Sequence, residues 1–108
     1  MKSISFTHFK EKLLDGSKRR TFRCIFVPTC HVKEVVNIDW KEDEKRETLF
    51  QAKIKDIYPR QIENVDEEEA KLDGFKNLYE FKRKIMEINR IKDPFRWGFF
   101  ILFERIEE

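Results

Sequence analysis

A basic segment near the start of the chain contains the residue types best suited to chemistry. Residues 18–23 read Lys-Arg-Arg-Thr-Phe-Arg, which places four cations within six positions. A local cationic surface attracts phosphate even when the whole molecule is almost neutral. The segment therefore indicates a site for RNA or a nucleotide. The alternative is a solvated basic turn whose charge is balanced by the acidic middle of the chain.

The same segment could support nucleophilic catalysis. The hydroxyl of Thr21 is a weak nucleophile until a base takes its proton, and a partly desolvated Lys18 could act as that base. Thr21 and Arg23 are two apart on a predicted strand and so point to one face. The Arg23 guanidinium could then hold a phosphate or a carbonyl oxygen beside the same cleft.

The cysteines and histidines do not indicate a metal site. Cys24 and Cys30 form no C-x-x-C pair, and His8 and His31 lack the spacing that brings ligands together. We interpret both cysteines as reduced packing residues and expect no metal or cofactor. His8 could hydrogen-bond a ligand, although a lone histidine is more often a surface cap or a satisfied core residue.

The composition predicts a folded protein rather than a disordered chain. The 108 residues are 41% charged and 40% hydrophobic, and eleven of them are Phe. That apolar content can fill the core of one domain, residues 1–108. The chain has no apolar run long enough to span a membrane and no apolar N-terminal signal, so we expect a soluble cytoplasmic protein. The chain has only three Gly and many Lys and Glu. Such a composition is typical of thermophilic proteins.

Charge is distributed unevenly along the chain. Residues 1–33 carry eight Lys or Arg against two Asp or Glu, whereas residues 34–75 carry seven against thirteen. The acidic face at residues 63–69 is a candidate surface for a protein partner. Three of its carboxylates have a structural explanation as well, because they would oppose the positive end of a helix dipole.

The first third of the chain predicts a short helix followed by a strand. Thr7 can cap a helix over residues 8–15, and Gly16 is well placed to end it. Residues 21–27 are rich in β-branched and aromatic side chains and predict a strand, which Pro28 interrupts.

The middle third predicts two half-buried strands. Residues 36–40 and 50–54 alternate apolar and polar side chains, as strands with one covered face do. The polar residues 41–47 between them predict a hairpin-like loop, and Tyr58-Pro59 is expected to close the second strand.

Two capping boxes predict a pair of helices. Asp66-x-x-Glu69 opens a helix over residues 66–74, and Asn77-x-x-Glu80 opens a longer one. Spacings of three, four and three place four apolar residues of the longer helix on one buried stripe. These residues are Leu78, Phe81, Ile85 and Ile88.

The order of these elements predicts an α+β fold. Pro94 ends the helical region, and the apolar run 97–103 predicts a strand covered on both faces or a barrel strand. A small β-barrel or mixed sheet, flanked by the short N-terminal helix and the central helix pair, is the natural closure. Closure would bring the turn at residues 16–20 near the strand ends, where we expect a cleft.

Three segments follow one another in the order found in a known family. Residues 13–23, L-L-D-G-S-K-x-x-T-F-R, are similar to an opening motif I-L-x-G-x-K-T-x-T-x-R. Residues 52–59 and 66–75 look like the strand, acidic helix and D-G-F turn that follow it, and Leu78-x-x-Phe81 and an apolar final strand come next. On this pattern the chain resembles the ASCH domains of the PUA-like superfamily.

The resemblance implies a small β-barrel with flanking helices and a cleft that binds RNA or a nucleotide. One branch is similar to an amidohydrolase that removes the acetyl group from N4-acetylcytidine with a Lys, a Thr and a Glu. Lys18 and Thr21 match the first two positions, and Asp73 stands at the third with one methylene fewer. There Asp73 would orient Lys18 or protonate the leaving amine. A structural alternative is an ion pair of Lys18 and Asp73 that fixes the turn to the helix.

The leading hypothesis is therefore RNA or nucleotide binding through a cleft bordered by Lys18, Arg20, Thr21, Arg23 and Asp73. The alternative is hydrolysis of an N4-acylated cytidine by the Lys, Thr and Asp of that set. The oligomeric state cannot be inferred from the sequence.

Three other aromatic residues are open to two interpretations. Trp40, Tyr58 and Trp97 could stack on bases, as aromatic residues do in proteins that bind single strands. We interpret them as core residues, because aromatic side chains in alternating strands are usually buried.

Overall fold

The computed structural model describes residues 1–107 and contains five strands and three α-helices in that range. The strands are β1 (Ser3–Phe6), β2 (Arg20–Arg23), β3 (Val35–Glu42), β4 (Lys45–Gln61) and β5 (Trp97–Arg105). The helices are α1 (Lys10–Leu14), α2 (Glu67–Leu72) and α3 (Leu78–Ile88), and a single 3-10 turn at Ile62–Asn64 precedes α2.

All five strands belong to one sheet, which curls into a half-barrel. Their order is β1-β3-β4-β5-β2, with β1 parallel to β3 and the other neighbours antiparallel. The pairing of the 17-residue strand β4 with β5 shifts register between Ile54 and Asp56. Such an irregularity bends a strand and increases its twist. The α+β class with a mixed sheet is confirmed, and β1 and β2 form the two edges of the half-barrel.

Strand β5 separates two apolar clusters on opposite faces of the sheet. Ile101 and Phe103 pack on one face with residues of β1, β3, β4 and α1, and Phe100 packs on the other face against α2 and α3. A fully buried Phe contributes about 1.5–3 kcal/mol relative to an exposed one. Both faces of β5 are therefore covered, as its continuous apolar sequence predicts.

The strands begin and end at other residues than the sequence pattern predicts. β1 was not expected, and β2 ends at Arg23 instead of continuing to residue 27. The expected loop at residues 41–47 is a two-residue turn at Asp43 and Glu44. The residues on either side of this turn are exposed. The alternation of apolar and polar side chains therefore ends before the hydrogen-bonded pairing of β3 with β4 ends.

Pro59 lies within β4 and does not end it. The pairing of β4 with β3 extends only to Lys53, whereas its pairing with β5 continues to Gln61. The far part of β4 therefore has one free side, where a residue without an N–H is tolerated.

Helix α1 is shorter than predicted and begins differently. It starts after Phe9, whose φ of 67° lies in the left-handed region and whose side chain makes no capping hydrogen bond, so Thr7 is not the cap. The Phe9 ring packs edge-on against Phe75, with ring centroids 5.0 Å apart. This tertiary contact, rather than local capping chemistry, fixes the start of α1.

Both predicted N-cap residues of the helix pair are in place, and the reciprocal capping box is formed at the first of the two helices. Asp66 and Glu69 make the reciprocal capping box of α2, and Asn77 accepts the N–H of Glu80 at 2.8 Å to cap α3. The stripe of α3 is buried at Phe81 and Ile85 but not at Ile88, which is 51% exposed. None of the helices formed by residues 1–107 has the length and apolarity needed to cross a membrane.

Candidate ligand-binding site

A turn after α1 places Lys18 in the interior. Asp15 caps the helix, and Gly16 follows with a φ of 83°, a left-handed conformation that suits glycine. The N–H of Ser17 donates to Asp15 Oδ1 at 2.8 Å, and the N–H of Lys18 donates to the carbonyl of Lys12 at 3.0 Å. The chain reverses direction at this turn. As a result, the Lys18 side chain lies inside the protein and is only 4% exposed.

The C-terminal end of α2 places Asp73 opposite that lysine. Gly74 adopts a φ of 105°, its N–H donates to Lys71 at 3.0 Å, and the N–H of Phe75 donates to Ala70 at 3.1 Å. This pair of bonds is the Schellman motif, which ends a helix with a left-handed glycine. Asp73 is the residue just before that glycine and is 1% exposed.

Lys18 and Asp73 form a buried ion pair. The Lys18 ammonium donates to both the main-chain carbonyl and Oδ1 of Asp73. The same ammonium lies 5.3 Å from the centre of the Phe9 ring and 5.7 Å from that of Phe6. The pair thus joins the turn after α1 to the end of α2, as the structural alternative expects, and two aromatic rings exclude water from it.

Burial shifts the protonation equilibria of this pair in opposite directions. Desolvation lowers the pKa of Lys18, and the charge of Asp73 opposes part of that effect. Desolvation also raises the pKa of Asp73 to about 6, against the opposing effects of Lys18 and Arg23. Each group is therefore closer to neutrality than it would be in water.

Arg23 connects the two edges of the half-barrel. Its Nη2 donates to the carbonyl of Ser5 on β1 at 2.8 Å, and its Nε donates to Oγ1 of Thr21 at 3.0 Å. The guanidinium lies 4.9 Å from the centre of the Phe6 ring. Desolvation lowers the pKa of Arg23, but an arginine keeps its charge at physiological pH. A positive charge is therefore held in the opening between β1 and β2.

A cavity of about 310 Å³ lies at this opening. The polar groups that line it include Lys18, Thr21, Arg23 and Asp73, with His8 exposed beside them. Its apolar lining includes Phe6, Phe9, Ile25, Phe75 and Ile85. The cavity therefore combines aromatic and aliphatic walls with a small set of charged groups, the usual composition of a small-ligand site.

Four of the five sequence-predicted site residues lie together, and Arg20 lies elsewhere. Thr21 and Arg23 share one face of β2 with the cavity, whereas Arg20 donates to the hydroxyl of Tyr58 at 2.9 Å. The Thr21 hydroxyl accepts its hydrogen bond from Arg23, and within residues 1–107 Lys18 makes no hydrogen bond to it. The alternation of a strand thus separates Arg20 from its neighbours.

The sequence pattern did not identify the aromatic wall of the cavity. Phe6 belongs to β1, and Phe9 stands in the left-handed turn before α1. The alternation of Ile4 and Phe6 with serines is a signal for a strand, but a four-residue strand is easily overlooked. The position of Phe9 depends on contacts with the D-G-F turn, which is distant in sequence.

The three other aromatic residues have different environments. Trp40 and Tyr58 are half-buried against the two apolar clusters. Trp97 is 55% exposed, so its interpretation as a core residue is wrong. It is the first residue of β5.

Most carboxylates of the acidic face at residues 63–69 have partners inside the chain. Glu69 contributes to the capping box, and Glu67 accepts the N–H of Leu78 at 3.0 Å. Glu63 lies 3.8 Å from the ammonium of Lys82. These intramolecular contacts are consistent with a structural role for the acidic residues of this face.

The thiols and the histidines are dispersed. Cys24 and Cys30 are free, with Cys30 buried in one apolar cluster and Cys24 packed against the other. Within residues 1–107 no three His, Cys, Asp or Glu side chains are grouped so that they could hold a metal ion.

The fold is similar to that of a solved bacterial protein. The crystal structure of protein EF3133 from Enterococcus faecalis V583, described as family-model DUF984, matches with a TM-score of 0.68. The match covers 98% of this chain and 81% of that chain at 12% identity, so it shows the fold alone. No family model matches the chain, and no curated protein matches it significantly. The chain is thus a small α+β protein with one curled, five-stranded mixed sheet, and these comparisons do not confirm its resemblance to ASCH domains.

Proposed function

We propose that this chain binds RNA or a nucleotide by inserting one nucleoside unit into the cavity between β1 and β2. The observation that carries the proposal is the charge set there, in which the buried Lys18 and the half-buried Arg23 are accompanied by a single carboxylate, the buried Asp73. Buried cations without an equal number of anions are costly. A ligand oxygen with negative charge, from a phosphate or a polarised carbonyl, would complete the set.

The size and walls of the cavity support a single nucleoside. A volume of about 310 Å³ lies at the lower end of the range of small-ligand sites. Phe6 and Phe9 provide aromatic surfaces, and unstacked bases bind readily against such rings. A double helix would not enter, so the expected ligand is a free nucleotide or an unpaired residue of RNA.

The resemblance to ASCH domains supports the same location. Lys18, Thr21 and Arg23 belong to the opening motif, and Asp73 belongs to the D-G-F turn. All four line one cavity although the two motifs are about fifty residues apart. The Schellman turn explains why the second motif needs its glycine.

Binding can be tested by titration calorimetry with cytidine monophosphate and a short single-stranded RNA. Thr21→Val removes the hydroxyl at constant side-chain size, and Arg23→Gln removes the charge while keeping a polar side chain. We expect each to weaken binding about tenfold. The matched controls are Arg60→Gln and Thr48→Val, which alter the same residue types away from the cavity. Equal losses in the controls, or none in the cavity variants, would exclude this site.

A second candidate function is hydrolysis of an N4-acylated cytidine. The observation that favours it is the presence of the Thr21 hydroxyl and the Lys18–Asp73 pair in the same cavity. Thr21 Oγ1 would bond to the acyl carbon as its proton passes to the neutral amine of Lys18. The C–N4 bond would then break and cytidine would leave with a proton from the pair. Water would release the acyl group as a carboxylic acid.

This activity has a direct test. Purified protein is incubated with N4-acetylcytidine, and free cytidine is measured by chromatography. Hydrolysis requires that Thr21→Val removes release while the protein remains folded, and that Thr48→Val retains it. Release that persists in Thr21→Val would remove Thr21 as the nucleophile. No release by the folded wild type would leave binding as the function.

A further inference from the structure

An exposed aromatic patch lies beside the cavity. It consists of Phe26, Pro59, Phe95, Trp97 and Phe99, which line a shallow groove of about 610 Å³. Phe26 is 94% exposed, Phe95 60% and Trp97 55%. Exposed clusters of large apolar side chains usually mark interaction sites.

Hydrogen bonds to the main chain hold part of this patch in place. The N–H of Phe95 donates to Asp93 Oδ1 at 2.9 Å, and Gln61 Nε2 donates to the carbonyl of Phe95 at 3.0 Å. Trp97 pairs with Gln61 at the start of β5. Two aromatic rings are therefore presented to solvent from a fixed segment, which lowers the entropic cost of binding.

Arg96 lines the groove, and the segment of chain that contains it is rich in cations. Arg90, Lys92 and Arg96 are exposed in the segment that carries Phe95 and Trp97. The single carboxylate of that segment, Asp93, accepts the N–H of Phe95. A cation beside exposed aromatic rings is the combination by which proteins bind single-stranded nucleic acid.

The patch is continuous with the cavity. Ile25 lines both, and Cys24 on the cavity side precedes Phe26 on the patch side by two residues. A strand of RNA with one nucleoside in the cavity would therefore pass directly over the patch.

We propose that the aromatic patch stacks the nucleotides next to the one held in the cavity, so that the preferred ligand is single-stranded RNA rather than a free nucleotide. This inference rests on the proposed function. It assigns Phe26 and Trp97 as stacking residues and Arg96 as a phosphate contact.

The test compares two probes, cytidine monophosphate and a seven-nucleotide RNA with a central cytidine between uridines. We expect Phe26→Ala and Trp97→Ala to weaken the RNA about tenfold each and to leave the mononucleotide unchanged, because each removes one stacking surface. Tyr79→Ala is the matched control, since Tyr79 is 75% exposed on α3 outside the patch. In a Trp40→Phe background, in which Trp97 is the remaining tryptophan, the RNA should quench the fluorescence.

The other outcomes separate the two proposals. If the patch variants bind the RNA as tightly as the wild type while Arg23→Gln loses both probes, the stacking proposal is wrong and the cavity stands. If the wild type binds neither probe, both are wrong. A dimer in sedimentation that Phe26→Ala dissociates would then identify the patch as a contact between two copies of the chain.

Discussion

The two ends of α2 each carry a buried carboxylate, and the two have different surroundings. Glu69, in the first turn, is 7% exposed, and Asp73, at the C-terminal cap, is 1% exposed. Glu69 accepts from the Tyr58 hydroxyl at 2.7 Å, from Arg60 Nε at 3.2 Å and from the N–H of Asp66 at 3.1 Å. Asp73 is paired with Lys18 at the wall of a cavity.

The contrast distinguishes a structural polar cluster from a candidate site. The partners of Glu69 come from β4 and its own helix, and they close the helix cap. The partner of Asp73 is Lys18, from the turn at the opening of the half-barrel, and Arg23 adds an extra positive charge there. A buried ion pair alone is weak evidence of function. A buried pair that borders a cavity and leaves excess charge is stronger evidence.

The largest expected effect is that of Asp73→Ala on stability. The substitution leaves the Lys18 ammonium buried without a carboxylate, so it should lower the free energy of unfolding by about 3–5 kcal/mol. Replacing both partners, with Lys18→Met and Asp73→Leu, should be much less damaging. Urea denaturation measures both variants. If Asp73→Ala were as stable as the wild type, the ion pair would contribute little to the stability of the fold.

The pH dependence of stability should come next. The pKa of Asp73 is raised from 3.8 to about 6, so between these values the folded protein holds a proton that the unfolded chain releases. Stability from this group is present at the acidic end and is lost as pH rises through that window, by at most about 3 kcal/mol. Asp73→Asn should remove this slope. A carboxyl titration by NMR with a midpoint below 4 would contradict the assignment.

Glu69→Gln should have a smaller effect and none on ligand binding. Glutamine can still complete a capping box but loses the charge that Arg60 faces, so we expect a loss of about 1–2 kcal/mol in urea. Nucleotide affinity should match the wild type, since Glu69 does not line the cavity. A tenfold loss of affinity would connect the two ends of α2 and weaken the contrast between them.

The smallest expected effect is that of Tyr58→Phe. The hydroxyl of Tyr58 accepts from Arg20 and donates to Glu69 in a half-buried position. Burial, with the bond to Glu69, raises the pKa of Tyr58 to about 12, so the hydroxyl stays protonated at neutral pH. Its removal should cost about 1 kcal/mol in a thermal melt. A much larger loss would show that this cluster is as critical as the cavity pair.

The local features of the fold could be predicted because their causes are local. The caps at Asp66 and Asn77, the helix ends at Gly16 and Gly74 and the apolar strand at residues 97–103 each depend on neighbouring residues. Strand ends were less predictable. The hairpin at Asp43 and the passage of β4 through Pro59 depend on which side of a strand has a partner, and residues far along the chain decide that.

The sequence by itself determined which residue types are available for chemistry and which of them share a strand face. Thr21 and Arg23 point together because side chains alternate along a strand, and Asp73 ends a helix because Gly74 follows it. Only the tertiary structure decided that Lys18 meets Asp73, that Arg20 turns to Tyr58, and that Phe6 and Phe9 form the wall. These contacts join residues up to 55 positions apart. Their formation depends on how the edges of the half-barrel approach each other, and no local pattern of residues encodes that approach.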